Sequence, residues 1–306
     1  MNVAERVRAG TGLRRATVRC LGRFKVQDGS GNQLQVRTRK ARAIVAALAV
    51  SGRPMARDAL AALLWSDRGE AQARASLRQT IFELQRCGGS EAILVAGRDD
   101  VAVRPELLVT DIDLIRQAAA DGDWQGLLAE LEKSEPGLLQ DLDGLDEEYD
   151  SWLRSERAHE PARTFALAVE AAERCFATAG PRAALDILSE VLRLDPVNEE
   201  ATRLAMRIDR QIGDSSAVRR HYAALRDRLR EDYDAEPSPE TAELYARISG
   251  SNGSAREPLP DAARLEQGST SESRYDRRGL FAALGAIAVL VAAILAWQFL
   301  LPDAGR

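Results

Sequence analysis

The 306-residue chain contains only three cysteines and two histidines. Cys20, Cys87 and Cys175 form no C-x-x-C pair, a distribution that favours reduced cytosolic thiols over a disulfide framework. His159 and His221 lack Cys or carboxylate neighbours at ligand spacing, which argues against a metal site. The signatures G-x-x-x-x-G-K-[ST], H-E-x-x-H and G-x-S-x-G of phosphate-binding loops, zinc proteases and serine hydrolases are also missing. We therefore expect neither an enzyme nor a bound cofactor.

Charge is distributed unevenly along the chain. Residues 1–104 contain 19 Lys and Arg against 9 Asp and Glu, a net charge of +10. Because the whole chain has a net charge of −5, residues 105–306 carry −15. A basic region suggests a polyanionic partner such as nucleic acid, whereas an acidic region would be repelled by one and suits protein contacts or a spacer. The sequence therefore predicts two domains with different partners.

The basic region has the pattern of a winged helix-turn-helix. Alternating apolar residues predict one strand over residues 17–26, and a Gly-rich turn leads to a second over residues 34–36. The two strands are expected to pair as a β-hairpin. Three helices follow, the first capped by Thr38, the second closing at Trp65 and the third over residues 70–87. A second hairpin is predicted over residues 93–103. In this architecture the third helix enters the major groove of DNA, and the closing hairpin, called the wing, contacts the backbone or the adjacent minor groove.

Candidate DNA contacts follow from this assignment of residues 16–104 as a DNA-binding domain. Arginine has the donor geometry for guanine and glutamine for adenine, so polar residues of the third helix are expected to contact base edges. Basic residues near the first helix and on the wing suit phosphates. Each could instead be an ordinary solvated side chain. The predicted base contacts are Arg74, Arg78 and Gln79, and the predicted phosphate contacts are Arg37, Arg39, Lys40, Arg42 and Arg98.

Residues 105–249 have the apolar periodicity of an all-helical domain. Gly180 and Gly213 each follow a predicted helix and lie 33 residues apart, a spacing that matches tetratricopeptide-type repeats. A plain helical bundle is the alternative. Carboxylates between Asp141 and Asp150 lack the ligand pattern of a calcium loop and are better explained as a solvated face or as helix N-terminal charges. The aromatic residues expected in the core are Trp124, Trp152, Phe165 and Tyr222.

Four stretches resemble the antibiotic-regulatory-protein (SARP) transcription factors. The first two are similar to the OmpR-type winged helix of that family, through Leu63-Leu64-Trp65 and the Arg-x-x-Leu-Arg pattern from Arg74 to Arg78. The other two are similar to the bacterial transcriptional activator domain. In chain order the stretches are TRKARAIVAALAVSGRPMARDALAALLWSD, ARASLRQTIFELQR, GLLQDLDGLDEEYDSWLRSER and EPSPETAELYARI.

The resemblance covers residues 18–248 and carries expectations about fold and function. It implies a mainly α chain in which an α+β winged helix-turn-helix precedes an all-α, tetratricopeptide-like domain. It also implies transcriptional activation from promoter repeats in double-stranded DNA, with RNA polymerase or a sigma factor as a further partner. Where many relatives have a basic residue late in the third helix, this chain has Phe82 and Glu83. Glu83 would repel phosphate unless it faces away or contacts a cytosine amino group.

The longest apolar run, residues 279–301, has no charged residue. At about 1.5 Å per residue it would reach roughly 35 Å as a helix, enough to cross a hydrocarbon core of about 30 Å. An apolar core helix is the alternative. Arginines precede the run, so a single-pass span of the bacterial cytoplasmic membrane with a cytoplasmic N-terminus is expected. The small residues Ala288, Ala292 and Ala296 share one helical face and are compatible with a homodimer.

The remaining segments are predicted to be irregular. Residues 1–15 are expected to be disordered, 250–278 to form a flexible linker and 302–306 to form a short extracytoplasmic tail. Together these features predict a membrane-anchored, DNA-binding transcriptional regulator whose lipid contact is residues 279–301. The alternative is a membrane-anchored scaffold in which the helical repeats do the work and the winged helix contacts proteins. Steep loss of DNA affinity with salt would favour the regulator.

Overall fold

The computed structural model describes residues 15–28, 30–86 and 94–250. Short strands and three helices come first, and helices form the remainder of the described chain. The strands are β1 (Ala16–Arg19), β2 (Lys25–Gln27), β3 (Gln33–Leu34), β4 (Met55–Ala56), β5 (Leu94–Ala96), β6 (Asp100–Val103) and β7 (Leu108–Thr110). The helices are α1 (Arg39–Ser51), α2 (Arg57–Leu64), α3 (Glu70–Arg86), α4 (Asp111–Asp121), α5 (Trp124–Lys133), α6 (Glu147–Ala179), α7 (Pro181–Leu194), α8 (Glu199–Gln211), α9 (Ser215–Tyr233) and α10 (Pro239–Gly250).

The first sheet has the strand order β3-β2-β1-β7. Strands β1 and β2 are antiparallel, whereas β7 joins β1 in parallel, with Ala16 opposite Leu108 and Val18 opposite Thr110. The sequence did not predict β7 or its pairing. Because β7 leads directly into α4, the two predicted domains share this sheet.

The predicted single strand over residues 17–26 was wrong, because the chain turns between β1 and β2. At the turn Gly22 has a φ of +88°. Its N–H donates to the carbonyl of Gly137 at 2.8 Å, and its carbonyl accepts from the N–H of Gln140 at 2.8 Å. A Cβ atom at position 22 would lie 2.3 Å from the Cβ of Glu135. The turn therefore requires glycine, and it joins the first sheet to a segment more than 100 residues later.

Helices α1, α2 and α3 pack around an apolar core as the periodicity predicted. Thr38 caps α1 by accepting the N–H of Ala41, and Gly52 ends it in the left-handed conformation. A second sheet has the order β4-β6-β5, in which Met55 of β4 lies opposite Val101 of β6. Strand β4 was not predicted. This second sheet contains the wing, the hairpin of β5 and β6, and β4 ties the wing to the start of α2.

The C-terminal part is helical from α4 to α10, as the apolar periodicity predicted. The 33-residue α6 turns at Gly180 into α7, and α8 turns at Gly213 into α9, so both glycines lie between consecutive helices. Phe165 is buried, whereas Trp124 and Trp152 are half-buried. Tyr222 is also half-buried and stacks on Tyr245, with ring centroids 4.0 Å apart. The architecture is mainly helical with small N-terminal sheets, as expected for a winged helix followed by a helical domain.

Residues 137–146 form a junction loop that joins the N-terminal part, with its two sheets, to the helical C-terminal part. The N–H of Leu139 donates to the carbonyl of Cys20 at 2.9 Å, and the N–H of Phe24 donates to Asp141 Oδ1 at 2.7 Å. Arg157 of α6 fixes the loop from the other side by donating to the carbonyls of Leu138 and Leu139 at 2.8 and 2.9 Å and to the Asp143 carboxylate at 2.5 and 3.0 Å. The carboxylates expected on a solvated face or at a helix N-terminus therefore also hold the two parts together.

Asp146, at the end of the junction loop, acts on both sides of the junction. Its carboxylate caps α6 by accepting the N–H of Glu148. The same carboxylate accepts the N–H and hydroxyl of Ser66 at 3.0 and 2.7 Å. Ser66 lies in the turn between α2 and α3. The start of the long helix α6 is therefore hydrogen-bonded to the turn that precedes α3.

Several predicted segments lie outside the described residues. These are the disordered segment apart from Arg15, the linker beyond residue 250, the apolar run 279–301 and the tail 302–306. Among the helices that the structure describes, none combines the length and apolar character needed to cross a membrane.

Candidate nucleic-acid interface

Helix α3 buries one face and exposes the other. Its inward stripe is Ala73, Leu77, Ile81 and Leu84, all nearly inaccessible to solvent. This stripe has the spacing of an amphipathic helix, and it fixes which side chains point outward. The outward residues are Ala71, Gln72, Arg74, Ala75, Arg78, Gln79, Phe82 and Glu83.

A groove of about 520 Å³ runs between α3 and the wing. Arg57, at the start of α2, holds the wing in place: its backbone N–H donates to the carbonyl of Asp99 at 2.9 Å and its Nε to the carbonyl of Gly97 at 3.0 Å. Four arginines and two aspartates contribute to the groove, so its lining is net positive. The lining residues are Arg57, Asp58, Arg74, Leu77, Arg78, Gly97, Arg98 and Asp99.

The structure gives Arg74 two carboxylate partners. Its guanidinium forms a bidentate pair with Asp58 of α2 at 2.7 and 3.0 Å and also contacts Glu70 at 2.6 Å. These contacts raise the pKa of Arg74, chiefly through the hydrogen bond to Asp58. Arg74 therefore has to leave or share these carboxylates before it can contact a base.

The other predicted residues of α3 and the wing are exposed. Arg78 and Arg98 line opposite sides of the groove. Gln79 lies on the outward face of α3, where its amide donates to Glu83 Oε1 at 2.8 Å. The structure thus brings Arg74, Arg78 and Arg98 together around one groove, with Gln79 on the same helix. Their contacts with DNA remain predictions.

Two of the predicted phosphate contacts, Arg39 and Arg42, lie instead at the junction loop. Arg39 donates to the carbonyls of Asp141 and Asp143. Arg42 donates to the carbonyl of Val36 at 3.0 Å, and its guanidinium lies 3.7 Å from the Asp141 carboxylate. Arg37, the fourth basic residue of this run, is exposed just before α1.

Lys40, which lies between Arg39 and Arg42 in the sequence, contacts the end of α2 instead. Its ammonium donates to the carbonyl of Leu64 and lies 4.8 Å from the ring centroid of Trp65. Burial lowers the pKa of Lys40. Arg39, Lys40 and Arg42 therefore already have protein partners, and their role as phosphate contacts remains an untested prediction.

Sequence reasoning missed Arg57. It precedes the apolar residues that identified α2, so nothing in the helical periodicity assigns it a role. The available signal was Met55-Ala56, which follows Pro54 as a short extended segment and forms β4. Pairing of β4 with β6 brings Arg57 to the wing.

Within residues 15–28, 30–86 and 94–250 there is no group of three or more His, Cys, Asp or Glu side chains that could hold a metal ion. The lining of the groove offers positive charge and hydrogen-bond donors.

Two comparisons with known proteins, one with family models and one with solved structures, find similarities to this chain. Residues 111–249, somewhat less than half of the chain, match the family model described as the bacterial transcriptional activator domain. A search of curated proteins finds no match. Among solved structures, the chain is similar to Mycobacterium tuberculosis EmbR in complex with a low-affinity phosphopeptide, with 20% sequence identity and a TM-score of 0.55. The similarity covers 80% of this chain and 66% of that one, and at this identity it shows a shared fold.

Proposed function

We propose that the chain is a SARP-type transcriptional regulator that binds promoter DNA and activates transcription. The observation that carries the proposal is the arginine-lined groove between α3 and the wing, joined to a region that matches a bacterial transcriptional activator domain. The fold shared with EmbR supports the same arrangement of winged helix and helical domain. The proposed activity is binding without covalent chemistry.

The geometry suits duplex DNA for electrostatic and steric reasons. The major groove of B-DNA admits an α-helix, and the outward face of α3 has small residues together with Arg78 and Gln79. Arg98 projects from the wing next to this helix, where it can contact a backbone phosphate while α3 contacts bases. Each phosphate contact releases condensed cations, so binding has to weaken as salt rises.

The helical domain is proposed to contact other proteins. Stacked helical hairpins form extended surfaces for partners, and the net negative charge of residues 105–306 disfavours a second nucleic-acid site there. We propose that it pairs protomers on promoter repeats or contacts RNA polymerase or a sigma factor. The junction loop would then fix the orientation of this domain relative to α3.

DNA binding is tested by measuring the affinity of the full chain for random-sequence duplex DNA over a series of salt concentrations. We expect log Kd to rise linearly with log salt, with a slope of about 0.9 for each phosphate contacted. Selection from a random duplex library should then enrich a repeated motif. A flat salt dependence with no enriched motif would refute DNA binding and favour the scaffold alternative.

We further propose that residues 279–301 anchor the regulator in the cytoplasmic membrane with its DNA-binding part in the cytoplasm. Support comes from the uncharged 23-residue run and the arginines that precede it. Deleting residues 279–306 is expected to move the protein from the membrane fraction to the soluble fraction of lysed bacteria. A deletion of the same length within the predicted linker is the control. Unchanged fractionation of the tail deletion would contradict the anchor.

A further inference from the structure

The outward face of α3 has a large aromatic side chain towards its C-terminal end. Phe82 is 51% exposed, although Phe is among the residues most often buried. With about 100° of rotation per residue, Phe82 lies nearly opposite the buried stripe that includes Leu77 and Leu84. A ring in this position would be the first apolar group to meet any surface against which α3 docks.

The neighbours of Phe82 on this face allow close approach. Ala75 lies seven residues before Phe82, and Ala71 lies four residues before Ala75. Both are exposed and lie on the same side of the helix as Phe82. Arg78 lies four residues before Phe82, one helical turn away. The face is therefore an apolar strip with a cation beside it, and its small residues let the helix backbone come close to a surface.

The polar group next to Phe82 also constrains what this end of α3 can meet. Glu83 is exposed and accepts a hydrogen bond from Gln79 at 2.8 Å. A carboxylate here would repel a phosphate, so this end of α3 is unsuited to lying along the DNA backbone. It suits the floor of the major groove, where base edges rather than phosphates face the protein.

In the major groove only thymine presents a methyl group, and Phe is one of the side chains that contact it. The other bases present donors and acceptors there, which a phenyl ring would leave without partners. We propose that Phe82 is a specificity-determining residue that packs against thymine 5-methyl groups, so that the recognised site has thymine at one or two fixed positions. The inference rests on the proposed DNA-binding function and names a chemical feature of its ligand.

DNA is a better occupant of this strip than the same face of a second copy of the chain, for a reason of charge. Arg74, Arg78 and Arg98 line the adjoining groove, and all three are exposed. If two copies of the chain met through this face, arginines would lie against arginines. A duplex presents phosphates to the arginines and methyl groups to the ring in one docking geometry.

The test removes the methyl group and the ring separately. Sites are selected for the full chain from a random duplex library, and each thymine of the selected site is then replaced singly by deoxyuridine, which lacks only the methyl. We expect wild type to lose about fourfold in affinity at one or two positions, the equivalent of about 0.8 kcal/mol for one buried methyl-sized group. Phe82→Ala should bind the selected site more weakly and show no loss at those positions.

Variants separate this role from general effects. Phe82→Leu should retain part of the methyl sensitivity, because it keeps an apolar side chain. Tyr233→Ala, which removes another exposed aromatic from α9, should behave as wild type. Affinity of Phe82→Ala for random duplex should be unchanged, since no charge is altered.

Three outcomes would overturn the inference. The first is equal loss on deoxyuridine substitution in wild type and Phe82→Ala, and the second is no loss at any position. The third is a change of oligomeric state in Phe82→Ala, by sedimentation velocity, with base preference intact, which would mark the strip as a protein interface. Failure of wild type to select any sequence would instead refute the proposed function, and this inference with it.

Discussion

Replacing Arg74 and Arg78 together by alanine is expected to abolish sequence-specific DNA binding, with affinity for the selected site falling about 100-fold or more. Each arginine that pairs with guanine contributes about 1–3 kcal/mol of discrimination. Arg78 should contribute more than Arg74, because Arg74 must first give up its hydrogen bonds to Asp58 and Glu70. Fluorescence anisotropy with the selected duplex and with random duplex measures the sequence-specific and the non-specific affinity.

Matched variants identify the origin of the effect. Arg182→Ala removes an arginine that is 91% exposed on α7 and should leave DNA affinity unchanged. Asp58→Ala removes a carboxylate from the groove and frees Arg74, so it should bind all duplexes more tightly. Arg98→Ala should weaken binding to all sequences alike and lower the salt slope by about 0.9. If the Arg74/Arg78 variant retained wild-type affinity and base preference, α3 would not be the recognition helix.

Much of the fold could be predicted because its signals are local. Helix α1 is bounded by Thr38 and Gly52, and both act at its ends as their residue types suggest. The inward stripe of α3 and the turns at Gly180 and Gly213 likewise follow from nearby residues. Periodicity, caps and turn residues act over a few positions, so one sequence is enough to find them.

What could not be predicted depends on contacts between distant parts of the chain. Strand β7 has three residues and no clear alternation, and it forms only because β1, some 90 residues earlier, offers it a parallel edge. Arg39 and Arg42 form part of a basic run that suggested phosphates, yet the Asp141 carbonyl and carboxylate that meet them are about 100 residues away. A basic residue in a sequence shows its charge but not its partner.

In the candidate site, too, the local elements could be predicted and the long-range contacts could not. The basic residues of α3 and the wing could be listed from sequence, because the hairpin and helix that carry them have local signals. Their mutual arrangement could not, because it depends on β4 pairing with β6 and on Arg57 donating to the wing. The ion pair between Arg74 and Asp58 likewise joins two helices. Arg74 is therefore paired with a carboxylate in the folded chain, and it must give up this pair before it can contact DNA.

The second large effect is expected at Asp111, a fully buried residue that begins α4. Its carboxylate accepts the N–H groups of Cys20 and Leu21, at the end of β1, at 2.9 and 3.0 Å, and that of Ile112 at 3.0 Å. Asp111→Ala leaves the first two donors buried without a partner, at about 1–3 kcal/mol each. We expect a loss of about 2–6 kcal/mol in the free energy of unfolding, measured by urea denaturation of the full chain followed by tryptophan fluorescence.

Asp113, two residues later, provides the matched control. It is exposed and forms the capping box of α4 with Thr110, so Asp113→Ala should cost only about 0.5–2 kcal/mol. Equal losses in the two variants would mean that Asp111 serves α4 alone and does not join α4 to the first sheet.

The same carboxylate should make stability depend on pH. Burial raises the pKa of Asp111 to about 6 in the folded protein, although the backbone N–H donors oppose the shift. In the unfolded chain the pKa of an aspartate is about 3.9. Between these values the folded state binds more protons, so the contribution of Asp111 to stability is full below about pH 4 and is lost as pH rises through about 6. Asp111→Asn keeps one acceptor oxygen and does not titrate. The free energy of unfolding of wild type relative to Asp111→Asn should therefore decrease between about pH 4 and about pH 7, and a constant difference across that range would show that the buried carboxylate stays ionised throughout.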